Sequence, residues 1–255
     1  SDLGRRVGWA MGLALVYFYS YLIGSVPTSY LLGRLVKGID IRKYGSGNVG
    51  GTNVFLHVGK LWVIPLALFE LFVKGASPIW IGILVLDVDV KGPSDAWIIN
   101  YIFGFDRNSA ALVGASLLSI VGNNWSIFLK FQGGRGLVVG LGAFSAMAFY
   151  QLWIYSAVSL LGWCIFRNSA TVILLSLLLV PLWTYIIGQP PIMIWYCFGV
   201  LILVVLKRLV SNWTPMPKGI SNRRVLLNRF LRDRDVDSRE EWVYRMPGKS
   251  GRDAQ

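Results

Sequence analysis

Histidine, cysteine and charged residues are all scarce in this sequence. Its 255 residues include one histidine and two cysteines, and Asp, Glu, Lys and Arg together make up only 15%. His57 stands alone on a polar connection, where a histidine is usually incidental. Without it the chain can form neither a Ser-His-Asp nor a Cys-His site, and no metal site has enough ligands. Cys164 and Cys197 lie in apolar runs and are expected to be free thiols. We therefore expect no metal and no cofactor.

The scarcity of charge accompanies long apolar runs. Hydrophobic residues make up 55% and the mean hydropathy is +0.55, whereas soluble domains are about 45–50% apolar and about 25% charged. The runs cover residues 7–26, 110–128, 137–166, 170–187 and 192–206, with weaker ones at 61–73 and 79–86. A run of about 20 residues crosses a bilayer, so we predict an all-α, polytopic integral membrane bundle of about seven spans. The first run is long for a signal peptide and is interpreted as a transmembrane helix.

Positive charge indicates the orientation in the membrane. The net charge is +12, and residues 207–255 carry 12 Lys/Arg against 6 Asp/Glu. Residues 34–60 hold five Lys/Arg against Asp40 alone. Basic segments near membrane ends stay in the cytoplasm, which predicts a multi-pass plasma-membrane protein with these segments cytoplasmic. Anionic lipid headgroups explain a basic tail with fewer assumptions than nucleic acid does. We expect membrane lipids as partners and no nucleic acid.

The chain divides into a transmembrane domain, residues 1–210, and a basic cytoplasmic tail, residues 211–255. Within the tail, residues 221–234 are predicted to form a short amphipathic helix on the membrane or on a protein neighbour. Its apolar residues are Val225, Leu226, Phe230 and Leu231, and its basic residues are Arg223, Arg224, Arg229 and Arg232. Residues 233–255 are expected to become ordered only on binding a partner. Residues 87–108 are interpreted as an exposed loop with an interfacial helix; the alternative is an ion path.

Two polar motifs interrupt the apolar sequence. The first covers residues 24–30, 38–42 and 45–53, and the second covers residues 122–125 and 128–136. We call residues 45–53 the first glycine loop and residues 133–136 the second glycine loop. Glycine lets backbone N–H groups converge on an anion, and Arg135 offers a planar charged fork for phosphate. The alternative is that the glycines serve tight turns and helix packing. Together the motifs favour an anion site, with both loops meeting at one polar, water-accessible cavity.

The motif residues resemble the PlsY family of acyl-phosphate:glycerol-3-phosphate acyltransferases. The resemblance rests on Gly-Ser-Val-Pro-Thr (24–28), Gly-Ile-Asp-Ile-Arg (38–42), Gly-Ser-Gly-Asn-Val-Gly-Gly-Thr-Asn-Val (45–54) and Phe-Leu-Lys-Phe-Gln-Gly-Gly-Arg-Gly (128–136). It extends roughly over residues 13–212. It implies a seven-span fold with an external N-terminus and cytoplasmic motifs. It also implies acyl transfer from acyl phosphate to the 1-hydroxyl of glycerol 3-phosphate, which yields lysophosphatidic acid and phosphate.

The resemblance also implies roles for residues in both loops. Ser46, Asn123 and Arg135 are the candidate catalytic residues. Arg135 would stabilise phosphate charge, and Asn123 would donate a hydrogen bond to the developing oxyanion. The candidate substrate-binding residues are Gly45, Gly47, Asn48, Gly50, Thr52, Asn53, Gly133, Gly134 and Gly136.

Several positions depart from the family pattern. Asn123 replaces a His, Ser126 a Pro, Arg135 a Lys, Val139 a Thr and Leu56 an Arg. The third motif survives only as Lys207-Arg208, with Val210 where Asn is expected; a shifted register that would use Asn212 is rejected. Two hypotheses therefore stand. The chain is an acyltransferase acting on glycerol 3-phosphate and acyl phosphate, or it is a non-catalytic relative that binds lipid or supports other membrane subunits. An enzyme should keep an open cavity that joins both motifs.

Overall fold

The protein is helical throughout the part of the chain that its computed structural model describes. That part comprises residues 2–88, 107–147, 149–166, 169–217 and 219–247. Within those ranges no strand forms, and one isolated antiparallel bridge joins Ser126 to Gln132. The predicted all-α membrane fold is confirmed. The interpretation of residues 87–108 falls almost entirely outside the described residues.

The long helices follow the apolar runs, and shorter helices form in the polar segments. They are α1 (Asp2–Ser25), α2 (Thr28–Lys37), α3 (Gly51–Asn53), α4 (Val63–Leu68), α5 (Ser77–Val85), α6 (Arg107–Asn124), α7 (Leu137–Met147), α8 (Phe149–Phe166), α9 (Ser169–Ile186), α10 (Pro191–Val210), α11 (Asn222–Arg232) and α12 (Arg239–Val243). Two π-helical segments, Val54–Val58 and Phe69–Ala76, continue α3 and α4. The two weak runs are thereby joined in one helical segment, Lys60–Val85, which is long and apolar enough to cross a membrane. The segments Asp2–Lys37 and Pro191–Val210 also meet that criterion.

The transmembrane core is built by direct contact between helix backbones. Helix α1 packs along α6, and α7 packs along the π-helical segment Phe69–Ala76. A Cβ atom at Gly24 would lie 2.1 Å from the Ser119 carbonyl oxygen, and one at Gly122 would lie 2.3 Å from the Tyr21 carbonyl oxygen. Small residues permit such close approach in membrane helices. Glycine therefore sets the spacing between α1 and α6, and with it the position of the second motif at the end of α6.

Helix α11 exists as predicted, but its faces differ from the predicted ones. It packs on α9 and α10 and buries Val225, Asn228 and Arg229. The sequence groups Arg229 with the basic residues opposite the apolar face; instead it is 3% exposed and pairs with Asp235 through a 2.6 Å contact. Its guanidinium also donates to the Leu209 carbonyl oxygen, which satisfies an orphan acceptor at the end of α10. The apolar residues Leu226, Leu227 and Leu231 are exposed instead.

Residues 233–247, the described part of the segment after α11, are ordered, in contrast to our expectation for residues 233–255. It forms α12, whose Trp242 is only 6% exposed. The backbone N–H of Gly45 donates to the Arg245 carbonyl oxygen over 2.8 Å, which ties the segment to the first glycine loop. Contacts of this kind to the membrane domain replace the partner that we expected the segment to need. We call residues 219–247 the C-terminal segment.

The glycine contacts between α1 and α6 predict that two Gly→Ala substitutions on α1 differ strongly in their effect on stability. Gly24→Ala places a methyl group against the Ser119 carbonyl and should destabilise the protein by about 1–3 kcal/mol through overpacking. Gly8→Ala lies on the same helix, where a Cβ meets nothing within 4 Å, and should be neutral or stabilise by up to about 1 kcal/mol. Thermal unfolding of both purified variants, followed by tryptophan fluorescence, measures the difference. Equal melting temperatures would contradict the close packing of these helices.

Candidate functional site

The first glycine loop is held together by its own polar side chains. Asn53, only 2% exposed, donates its side-chain amide to the carbonyl oxygens of Tyr44 and Asn48, both at 3.0 Å. The Ser46 hydroxyl accepts from the Asn48 N–H at 3.3 Å. Gly45 and Gly47 have φ values of +50° and +71°, which non-glycine residues rarely adopt. The loop conformation therefore depends on both its glycines and its amides.

The two glycine loops meet, as predicted. The Val49 N–H donates to the Gly133 carbonyl oxygen at 3.3 Å, and a Cβ at Gly134 would lie 2.7 Å from the Val49 carbonyl oxygen. The Gly134 N–H in turn donates to the Asn123 carbonyl oxygen at 3.0 Å. The end of α6, the first glycine loop and the second glycine loop are thus in direct backbone contact. About eighty residues of sequence separate the loops that these bonds join.

Asn212 joins the loops, although the sequence argument rejected it. It follows α10 with a left-handed backbone (φ +55°), and its side chain is 6% exposed. The side-chain oxygen of Asn212 accepts from the Gly133 N–H at 3.0 Å. Its amide lies 3.1 Å from the carbonyl oxygens of both Gly47 and Gly133. The chain turns sharply after Val210, and this turn places the Asn212 side chain between the two loops. The periodicity of apolar residues does not predict left-handed residues such as Ser211 and Asn212.

Six backbone N–H groups of the two loops bind acceptors of the protein itself and do not form an open anion cradle. The N–H groups of Gly45, Gly47, Asn48, Val49, Gly133 and Gly134 all donate to protein acceptors. At these positions the glycines therefore serve tight turns and close packing of the two loops, rather than an anion site. Gly50 is half-buried before α3, Thr52 is exposed, and Gly136 has φ +70° just before α7. At those six positions the backbone N–H groups are not available to an anion.

Arg135 is engaged by the C-terminal segment. Its Nη2 lies 2.6 Å from Asp233 Oδ1, and its Nε lies 3.2 Å from Asp233 Oδ2. Its Nη1 donates to the Lys207 carbonyl oxygen at 2.6 Å. The ammonium group of Lys207 lies 5.2 Å from the centre of the Trp125 ring. The planar fork expected to bind phosphate thus already holds a carboxylate with the same two-point geometry.

A small polar cavity lies where the motifs meet. Its volume is about 10 Å³, room for roughly one water molecule. It is lined by Ser25, Val26, Pro27, Thr28, Ser29, Val49, Glu70, Lys74, Asn123, Ser126, Leu129 and Gly133. Of the predicted site residues, only Asn123 and Gly133 reach it. A ligand as large as a phosphate ester requires the surrounding groups to move.

Two charged residues of this cavity, Glu70 and Lys74, were missed by the sequence argument. Lys74 donates to the Asn123 side-chain oxygen at 3.0 Å, and its Nζ lies 3.9 Å from Glu70 Oε1. Thr28 also contacts Glu70, at 3.4 Å. The signal was available: opposite charges four residues apart within an apolar run are unusual in a membrane segment.

Charged and aromatic groups support the outer side of the first glycine loop. Arg42 forms a two-point contact with Asp40 and reaches the Gln132 side chain at 3.3 Å. Hydrogen bonding from Arg42 holds the pKa of Asp40 below its usual range. His57, whose Nε2 lies 3.2 Å from the Val243 carbonyl oxygen, contacts the C-terminal segment. That contact gives the single histidine a position at the edge of the loop, away from the cavity.

Comparison with known proteins identifies the family. The family model described as glycerol-3-phosphate acyltransferase matches residues 14–216. Glycerol-3-phosphate acyltransferase 4 of Dehalococcoides mccartyi is 30% identical over 231 residues, covering 88% of this chain and 90% of that protein. Glycerol-3-phosphate acyltransferase 2 of Moorella thermoacetica is 43% identical over 136 residues, covering 53% of this chain and 58% of that protein. The chain belongs to the glycerol-3-phosphate acyltransferase family.

A solved structure shares the fold. The crystal structure of PlsY (YgiH), an integral membrane glycerol 3-phosphate acyltransferase, in its glycerol 3-phosphate form superposes with a TM-score of 0.64. Its sequence is 24% identical, and the match covers 86% of this chain and 94% of that chain. The likeness supports the membrane fold. The C-terminal segment lies beyond residues 14–216, which the family model matches.

The central place of Asn212 predicts that its side chain controls the stability of both loops. Asn212→Ala leaves the Gly133 N–H and the Gly47 carbonyl without their partner, whereas the Gly133 carbonyl keeps the Val49 N–H. Each buried orphan costs about 1–3 kcal/mol. Hydrogen exchange in both glycine loops should accelerate together, with a lower melting temperature. Asn222→Ala, at the exposed first residue of α11, is the matched control and should change neither. Faster exchange in only one loop would show that Asn212 does not couple them.

Proposed function

We propose that this chain transfers a fatty acyl group from an acyl phosphate to glycerol 3-phosphate in phospholipid synthesis. The observation that carries the proposal is the direct contact between the two glycine loops of a chain in this family. Substrates of this reaction carry phosphate groups and one carries an acyl chain. A polar junction inside an apolar helical bundle suits both.

The reaction needs little from the protein beyond binding and orientation. The glycerol hydroxyl oxygen attacks the acyl carbonyl carbon, a new C–O ester bond forms, and the bond to the phosphate oxygen breaks. The hydroxyl proton passes to the departing phosphate. Acyl phosphates are intrinsically reactive, and holding two reactants in the right geometry is itself a large part of catalysis. The loss of the family histidine at Asn123 is therefore compatible with activity.

Arg135 and Asn123 are the side chains to which we assign direct roles. Arg135 would bind the phosphoryl group of one substrate through its two-point fork. Asn123 would donate a hydrogen bond to the oxyanion that develops on the acyl carbonyl. Ser46, which closes the turn of the first glycine loop, would orient substrate from the edge of the site. Substrate entry must widen the cavity and release Arg135 from Asp233.

The contact between Arg135 and Asp233 yields opposite predictions for its two partners. Arg135→Ala should weaken glycerol 3-phosphate binding by about ten- to a hundred-fold, because a charge-assisted contact is worth about 1.5–3 kcal/mol. Arg135→Lys should recover much of this loss, since a point charge still attracts phosphate. Asp233→Asn should strengthen binding, because the phosphate no longer competes with a carboxylate. Calorimetry and an acyl-transfer assay on purified protein measure both effects.

Matched controls separate these effects from general changes of charge. Asp237→Asn removes a carboxylate of the same segment that pairs with Arg224 and Arg232, and it should leave binding unchanged. Arg223→Ala removes an exposed arginine and should do the same. No binding heat and no acyl transfer from folded wild-type protein would refute the proposed function.

We infer that the loops and the C-terminal segment face the cytoplasm. The inference rests on the excess of Lys and Arg in residues 34–60 and 207–255. In a variant with Cys164→Ser, single cysteines at the exposed positions Lys43, Lys130 and Ser238 should all react from one side of the membrane. A cysteine at Asp2 should react only from the other side. Gly134 is unsuitable for this test, because a side chain there would meet the Val49 carbonyl.

A further inference from the structure

A lysine and a glutamate lie buried beside the polar cavity. Lys74 is 2% and Glu70 is 7% exposed, and both belong to the π-helical segment Phe69–Ala76. Ionisable side chains inside a membrane domain are costly to bury, and they usually mark functional positions. π-helical turns are also frequent at functional sites. The pair therefore needs an explanation beyond helix packing.

The ammonium group of Lys74 is poorly satisfied for a structural ion pair. An ammonium has three donors, yet among the described residues Nζ makes one hydrogen bond, to Asn123 Oδ1 at 3.0 Å. Glu70 Oε1 stands 3.9 Å away, beyond hydrogen-bond distance. Arg229, by contrast, has a two-point contact with Asp235. Buried pairs stabilise a fold only when their hydrogen bonds are complete. Lys74 retains donors for a ligand.

The position of Lys74 is fixed relative to the second glycine loop. A Cβ at Gly142 would lie 1.9 Å from the Leu71 carbonyl oxygen, so the π-helical segment and α7 touch through their backbones. Helix α7 begins directly after Gly136. The Ser119 hydroxyl donates to the Lys74 carbonyl oxygen at 2.7 Å, which fixes the segment to α6 as well. The ammonium group is thus held in the cavity beside Asn123.

We propose that Lys74 binds the phosphoryl group of a substrate in this cavity, with Glu70 as its counter-ion while the site is empty. The inference rests on the proposed function, since only phosphorylated substrates need a buried cation here. Leu56 stands where the family pattern places an arginine, so a positive charge must come from elsewhere in the fold. The hydrogen bond from Lys74 also turns the amide nitrogen of Asn123 toward Gly134. The phosphoryl group belongs to either the acyl phosphate or glycerol 3-phosphate.

Lys74→Met tests the proposal, because methionine keeps the side-chain length and suits an apolar bundle. With acyl phosphate and glycerol 3-phosphate varied in turn, the KM of one substrate should rise about ten- to a hundred-fold, and the other should change little. The substrate whose KM rises is the one that Lys74 binds. Lys74→Arg should restore part of the affinity. Lys37→Met, an exposed lysine at the end of α2, removes the same charge and should change neither KM.

A double variant separates a binding role from a structural one. Glu70→Met combined with Lys74→Met removes both buried charges, so no ion is left unpaired. If the pair served only stability, the double variant would recover wild-type kinetics, which would overturn the proposal. We expect it to be as stable as the wild type and still as impaired as Lys74→Met alone. Melting temperatures measured beside the kinetics confirm that the protein is folded.

Failure of this inference can be told from failure of the proposed function. Suppose that the folded wild type transfers acyl groups and that Lys74→Met changes both KM values by about twofold or less. Such a change is well under the 1.4 kcal/mol of a tenfold change, and it would refute only the role of Lys74. If the folded wild type neither transfers acyl groups nor binds glycerol 3-phosphate, the proposed function and the role of Lys74 are refuted together.

Discussion

The side-chain amide of Asn212 connects three parts of the chain that are distant in sequence. It accepts from the Gly133 N–H and donates toward the carbonyl oxygens of Gly47 and Gly133. Non-helical backbone inside a membrane bundle is tolerated only when its polar groups find partners in protein or a wet cavity. The primary amide supplies both an acceptor and donors from one side chain. The ends of α10, the first glycine loop and the second glycine loop therefore hold one another in place, and the cavity lies against this junction.

This junction determines what the glycines can do. Once Val49 and Gly133 are in backbone contact, their N–H groups are bound within the protein and cannot converge on an anion. Glycine is still required, because a Cβ at Gly134 would meet the Val49 carbonyl oxygen at 2.7 Å. The glycines thus serve the close packing of the two loops. The positive charge that binds phosphate must come from side chains. Arg135 at the C-terminal segment and Lys74 in the cavity are the side chains so placed.

Part of this arrangement can be predicted from the sequence, because the length of the apolar runs and the residue types of the polar motifs are visible there. Long apolar runs predicted the membrane helices, and the motif residues predicted the family and the meeting of the two loops. What the sequence did not reveal depends on single backbone turns. The left-handed residues Ser211 and Asn212 redirect the chain after α10, and the π-helical segment joins two runs that looked too short to span. The amphipathic pattern grouped Arg229 with the other basic residues of its helix, whereas Asp235 and nearby carbonyl groups make its burial favourable.

The charged groups of the site are arranged in pairs of opposite sign. Each proposed phosphate-binding cation stands near a carboxylate of the protein, Arg135 beside Asp233 and Lys74 beside Glu70. An unpaired charge buried in a medium of low polarity is strongly unfavourable, so an empty site must hold its own counter-ions. A doubly charged phosphate attracts either cation more strongly than a single carboxylate does, and it has more acceptor oxygens. Binding then becomes an exchange of counter-ions. The two exchanges differ, because Asp233 belongs to the C-terminal segment, outside the membrane domain, whereas Glu70 shares a helical segment with Lys74. Displacement at Arg135 therefore involves the C-terminal segment, while at Lys74 the phosphate must be accommodated beside a carboxylate that stays within the bundle.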